Sequence, residues 1–214
     1  MTEDRTNPHA AGGLMAARLA QAGWQRLHTQ QAEPLAAEQR LHGLDLSPIR
    51  GRAATQEGEF IVIPMELVVC QQGEFRETVL VLALGKEQLI SVEQGPALHA
   101  LDRASEQLLT RLADGGALGP GTMMLYLLEA LNDAAHASLR AIAERLDERS
   151  DAVAAASGGF DTAQRQAGVA DIAGTAMALA EAEELVAKAV EGQLMLARAG
   201  RWLRRAAGDA RLGP

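Results

Sequence analysis

Aromatic residues are nearly missing from this chain: three Phe, two Trp and one Tyr make up 3% of 214 residues. With so few stacking platforms, binding of single-stranded nucleic acid through base stacking is excluded as a main function. There is also no excess of positive charge. The formal net charge is −8, so a broad basic surface for nucleic acid is lacking as well. Only one cysteine is present, Cys70, which rules out a disulfide within one chain. Set in an apolar run, it reads as a small buried hydrophobe in a reducing compartment. No uninterrupted apolar run reaches about 18 residues, the length needed for a membrane-spanning helix. Met1 to Pro8 carries Glu3, Asp4 and Arg5 and has no apolar stretch, unlike a signal peptide.

Catalytic patterns are missing too. The five histidines (His9, His28, His42, His99, His136) show no metal-ligand spacing. Ser91, Ser105, Ser138 and Ser150 lie in no nucleophile elbow. Gly115 to Gly121 is Gly-rich and precedes a helical pattern, but it lacks the Lys and Ser/Thr of a phosphate-binding loop, and Pro120 removes an amide donor. It reads as a plain helix-start loop. No enzyme activity and no tightly bound cofactor are expected.

What is present is an ordinary globular balance. Hydrophobic residues make up 48% and charged residues 22%. Residues 1–13 are polar and are expected to be disordered. Leu14 to Ala22 suits a short helix or part of a first strand, and Gly23 to His28 an edge strand. Pro34 to Gly43 reads as a short helix with Pro34 at its first position and Gly43 as its stop. Ser47 to Gly58 is expected to be loop. Phe60–Cys70, Phe75–Leu84 and Gln88–Val92 predict three strands joined by turns at Gln71-Gln72-Gly73 and Gly85-Lys86-Glu87, an antiparallel meander. Pro64 cannot donate to a ladder, which places its strand at an edge or a bulge. The run Val79 to Leu84 implies burial on both faces, so helices must cover the sheet.

Ala97 to Ala113 predicts a helix. Two long helical patterns follow. The first, about Thr122 to Ala156, has a seam of Leu128, Leu131, Ala135, Leu139, Ile142, Leu146 and Val153. The second, about Gly168 to Ala207, has a seam of Ile172, Ala176, Leu179, Val186, Val190, Leu194 and Ala197. Ser157 to Asp161 reverses the chain between them. The back half, from about Pro120 to Ala207, is therefore expected to be amphipathic helix and not an active site. The second helix is expected to outrun its partner, with its far end uncovered.

The fold class is α+β: a mostly antiparallel sheet covered by helices, an α/β sandwich, followed by a long antiparallel helical hairpin whose last helix is a stalk. The expected division is 1–13, then an α/β subdomain at 14–118, then the hairpin and stalk at 119–214.

Charge is unevenly placed. Residues 188–214 carry six basic groups and two acids, a net +4, which leaves −12 on residues 1–187. Arg198, Arg201, Arg204 and Arg205 suit a helix C-terminus, and the same pattern is expected just cytoplasmic of a membrane segment. Acids gather at Asp147, Glu148 and Asp151, and again at Glu181, Glu183, Glu184 and Glu191, with Asp171 a few turns earlier. Hard divalent cations use such carboxylates, and two subunits together could supply a weak site. The candidates are Asp171, Glu181 and Glu184, weighed against a solvated helical face.

Several stretches resemble the cytoplasmic N-terminal domain of the CorA family of divalent-cation transporters, which includes the ZntB-type zinc transporters. They are Gly23-Trp24-Gln25-Arg26-Leu27, Leu35 to Leu44, Phe60-Ile-Val-Ile, Glu87 to Val92, Gly119-Pro120 through Asp133, and Asp147-Glu148. The resemblance runs from Trp24 over nearly the whole chain. Gly43 stands where the family has proline. The family signature Gly-Met-Asn and the two membrane helices are not among these 214 residues. The resemblance implies a homopentameric assembly and sensing domain on the cytoplasmic face of the membrane. Mg²⁺, Co²⁺ or Zn²⁺ would be the regulatory or transported ion, and membrane contact would come through a missing C-terminal part. The alternative is a stand-alone α/β plus helical-hairpin scaffold that pairs with another protein.

Overall fold

A computed structural model describes residues 8–95, 97–156 and 162–208. The elements in chain order are α1 (Pro8–Gln21), β1 (Trp24–His28), α2 (Ala32–His42), β2 (Thr55–Glu57), β3 (Phe60–Gln71), β4 (Glu74–Leu84), β5 (Leu89–Glu93), α3 (His99–Ala113), α4 (Pro120–Ala156) and α5 (Thr162–Gly208). Helix α1 begins at Pro8, six residues before the expected helix, so residues 8–13 are helical where the sequence pointed to a loose tail.

The five strands form one sheet in the order β1-β5-β4-β3-β2. The β3–β4–β5 meander is antiparallel, as the strand and turn pattern predicts. The β3–β4 loop is tight. Gln71 pairs with Glu74, and both intervening residues have positive φ, 54° at Gln72 and 79° at Gly73. That is the requirement of a type I′ hairpin, whose twist matches the strands. β1 closes one edge by pairing with β5 in parallel, Trp24 opposite Leu89. The other edge is short. β2 falls inside the segment expected to be loop and covers β3 only from Phe60 to Val62. Pro64 therefore lies where β3 has no outer neighbour, as a residue without an N–H requires.

Both faces of the sheet are buried. On one face, Trp24, Ile63, Met65, Leu80, Leu82 and Leu89 join Leu101 and Leu108 of α3, Met123, Met124 and Leu127 of α4, and Leu196, Ala199 and Leu203 of α5 in the main core. On the other, Leu27, Val62, Val81, Ala83, Ile90 and Val92 meet Leu44, Leu46 and Phe60, with Leu35 of α2 packed against them. Helix α2 starts two residues before the expected Pro34, which stands third. Its stop is as expected, with Gly43 in the left-handed conformation at φ 66°. Pro120 opens α4 at the first helical position, where its missing N–H has no cost.

Candidate functional site

The long helices α4 and α5 run antiparallel. Ile142 and Leu146 of α4 lie beside Ala178, Ala182 and Leu185 of α5, and Leu131 and Ala135 beside Ala189 and Gly192. The expected α4 seam is partly right. Leu131, Ala135 and Ile142 are buried, and Leu128, Leu139 and Leu146 are half-buried. Val153, like Ile172 of the other seam, is among the residues whose side chains are not described.

The expected α5 seam is overturned. Ala176, Leu179, Val186, Val190, Leu194 and Ala197 are all exposed. The buried line is instead Ala178, Ala182, Ala189, Gly192, Leu196, Ala199 and Leu203. The cause is the short distance between α5 and its neighbours. A Cβ placed on Gly192 would lie 2.8 Å from the Glu66 carbonyl oxygen of β3. Only small side chains fit such an approach, so around Gly192 the large ones are turned away, while Leu196 and Leu203 are buried further along, in the main core. The far end of α5 also differs from expectation. It has partners in this chain as far as Leu203, which sits in the main core.

The result is an uncovered apolar stripe. Leu179, Val186, Val190 and Leu194 are 50%, 37%, 44% and 51% exposed. Their spacings of seven, four and four put them on one line of a helix, roughly 120° around from the buried line at 3.6 residues per turn. Glu183 lies on the same line between Leu179 and Val186, and Arg201 and Arg204 lie beyond its C-terminal end, all exposed.

Polar bonds fix α5 against the sheet. Lys188 Nζ donates to Glu77 Oε1 of β4 at 2.5 Å and to Glu184 Oε1 at 2.6 Å. Arg50 pairs with the other oxygen of Glu77. Hydrogen bonds from Lys188 and Arg50 hold the Glu77 carboxyl below the usual range. Glu184 and Glu77 in turn raise Lys188. On the opposite edge, buried Glu93 accepts from Arg26 Nε at 2.5 Å and from the Leu98 N–H at 2.7 Å, and Arg26 Nη1 donates to Asp102 at 2.7 Å. Burial alone would lower the Arg26 guanidinium, but these acids outweigh it and hold it above its ordinary value. Trp24 Nε1 donates to Ser91 Oγ at 3.0 Å, tying β1 to β5 in the core.

Of the sequence candidates for cation binding, Glu181 and Glu184 lie about one turn apart on α5. Glu184 is engaged by Lys188. Glu181 lines a small recess with Arg145 and Arg149. The side chain of Asp171 is not among those described. Among the described residues, no three of His, Cys, Asp and Glu converge within one chain. Cys70 is half-buried, more open than expected, and its N–H donates to Ser138 Oγ at 3.1 Å. The Arg50–Glu77–Lys188 clamp was not foreseen. Nothing in the separation of these residues announces it, since Lys188 and Glu77 are 111 residues apart.

No protein-family description matches the chain, and no curated sequence does. Solved structures do match. The full-length CmaX protein shares 17% identity over 87% of this chain and 67% of its own, with a TM-score of 0.51. The soluble domain of CorA from Methanocaldococcus jannaschii shares 14% over 86% of each chain, at 0.49. The ZntB cytoplasmic domain from Vibrio parahaemolyticus RIMD 2210633 shares 14% over 88% of this chain and 83% of its own, at 0.45. At these identities the likeness is one of fold, and it is the CmaX match that carries it. The chain has this α+β fold, a mixed five-stranded sheet with a long helical arm. Among the described residues, no helix is long and apolar enough to cross a membrane.

Proposed function

We propose that this chain is the regulatory and assembly domain of a CorA-like divalent-cation transporter, and that it self-associates through the outer face of α5. The observation that carries the reading is the stripe of Leu179, Val186, Val190 and Leu194, turned out while alanines and a glycine take the inside. The sequence resemblance over Trp24 to Glu148 supplies the family, and the fold agrees with it. In this reading the membrane part lies in sequence outside these 214 residues, and the assembly is a pentamer on the cytoplasmic side. The names of two matching structures, soluble domain of CorA and ZntB cytoplasmic domain, describe parts of the same kind.

The energetics suit a regulated assembly. Burying an apolar side chain fully contributes about 1.5–3 kcal/mol. The four stripe residues are already about half covered, so each adds less than that on association. The cost of bringing copies together is about 4–15 kcal/mol. The stripe alone is marginal. Glu183 lies on it, so parallel copies would gather several Glu183 carboxylates at one level. Their repulsion disfavours assembly, and a hard divalent cation relieves it. A cation bound better by the assembled state shifts the equilibrium toward it. Mg²⁺, Co²⁺ and Zn²⁺ are the ions proposed for this role.

Sedimentation velocity tests the reading. Without metal, the domain is expected as monomer or a dissociating mixture. With millimolar Mg²⁺ or Zn²⁺ it shifts to a species of about five chains. Val190→Asp with Leu194→Asp is expected to stay monomeric in metal, with an unchanged circular dichroism spectrum. A wild-type domain that remains monomeric at 100 µM in every metal sinks the self-association, and capture of a different protein by the same stripe would then favour the scaffold.

A further inference from the structure

A cavity of about 270 Å³ lies between α5 and the bare edge of β3, lined by Arg52, Ala53, Ala54, Ile63, Pro64, Met195, Arg198, Ala199 and Trp202. It has a structural cause. β2 ends its pairing at Val62, so nothing continues the sheet outward beside Ile63 and Pro64. Helix α5 passes over this gap, and the loop opposite contributes Arg52, Ala53 and Ala54. No large side chain fills the wedge. The space is large enough for several waters or for a small organic molecule. The walls are apolar: Ile63, Pro64, Met195 and the Trp202 ring. That lining favours an aliphatic or aromatic body over water.

The charged groups define the rest of the ligand. Arg52 is already compensated, donating to Glu57 Oε1 at 2.6 Å and lying 3.1 Å from Asp45 Oδ2. Arg198 makes no ion pair among the described residues. Among the described residues, the wall therefore offers one guanidinium without an ion pair, Arg198, beside an apolar bed. A single carboxylate satisfies it, and a doubly charged phosphate is more than it needs. We propose that this cavity is a binding site for a small amphipathic monoanion, an aryl or branched aliphatic carboxylate. Its apolar body would lie against Trp202, Met195 and Pro64, and its carboxylate would meet Arg198. The site stands whether or not the chain self-associates, because its lining does not include the stripe.

Isothermal titration calorimetry with 4-phenylbutyrate and its neutral analogue 4-phenylbutanol tests the site. Saturable submillimolar binding of the acid is expected, with the alcohol about tenfold weaker, the effect of one charge-assisted hydrogen bond. Arg198→Gln should erase that preference while leaving the alcohol's affinity unchanged. Ala54→Leu should fill the cavity and abolish binding of both. Positions 54 and 198 are exposed, so both variants should keep the wild-type circular dichroism spectrum and melting temperature. No saturable heat with the acid, equal binding of acid and alcohol, or an unchanged preference in Arg198→Gln would overturn the assignment.

Discussion

Gly192 shows how a single residue sets a helix position. In a helix interior, Gly→Ala normally gains about 1 kcal/mol from propensity. Here the added Cβ would stand 2.8 Å from a backbone oxygen, which cannot swing aside. Overpacking of that kind costs about 1–3 kcal/mol. The clash wins or cancels, so Gly192→Ala should not stabilise, and Gly192→Leu should lower stability clearly in urea unfolding. Gln72 offers the opposite case. It holds a positive φ that costs most L-residues about 1–2 kcal/mol. Gln72→Asn creates the Asn-Gly pair that type I′ turns favour, and a gain of about 0.5 kcal/mol is expected by the same method. At the buried Glu93, Arg26→Met would leave a carboxylate without its main partner. A loss of about 3–5 kcal/mol is expected, larger than for Glu93→Gln, which removes the charge together with its need for compensation.

Among the elements, α5 explains why sequence reading succeeded and failed in the same stretch. Its existence and antiparallel course were legible from the long 3.6-residue pattern. Its inner face was not, because hydrophobic pattern marks the largest apolar residues as core. Close approach reverses that rule, placing Ala178, Ala182, Ala189 and Gly192 inside. The meander was legible from its β-branched runs and turns, and Pro64 correctly marked an uncovered edge. The parallel β1–β5 pair was not, since Trp24–His28 carries three polar residues and no local signal of its partner. The cavity at Trp202 was equally hidden, as it depends on where β2 stops.

The clamp between α5 and the sheet has a definite pH dependence. Glu77 is held below the ordinary Glu value of about 4.3. A lowered carboxylate stabilises the folded state fully above the unfolded value, and that contribution is lost as pH falls through the lowered one. Glu77→Gln should therefore melt below wild type at pH 7, with the two converging as the pH drops under about 4. A constant difference across that range in thermal melts would show that the clamp adds nothing.

At the scale of the whole molecule, an exposed stripe makes stability depend on concentration. If copies bury Leu179, Val186, Val190 and Leu194 against one another, assembly stabilises the folded state by mass action. The melting temperature should rise between 2 and 200 µM protein, and more steeply with millimolar Mg²⁺ or Zn²⁺. The Val190→Asp, Leu194→Asp variant should melt independently of concentration.

The parallel pairing of β1 with β5 also has a consequence during synthesis. Trp24 and its partner Ser91 are 67 residues apart, and the sheet edge cannot close until the later strand has left the ribosome. At about 5–20 residues per second, β1 waits roughly 3–13 s with its tryptophan uncovered. For that interval the nascent chain offers an unpaired strand to any chaperone within reach.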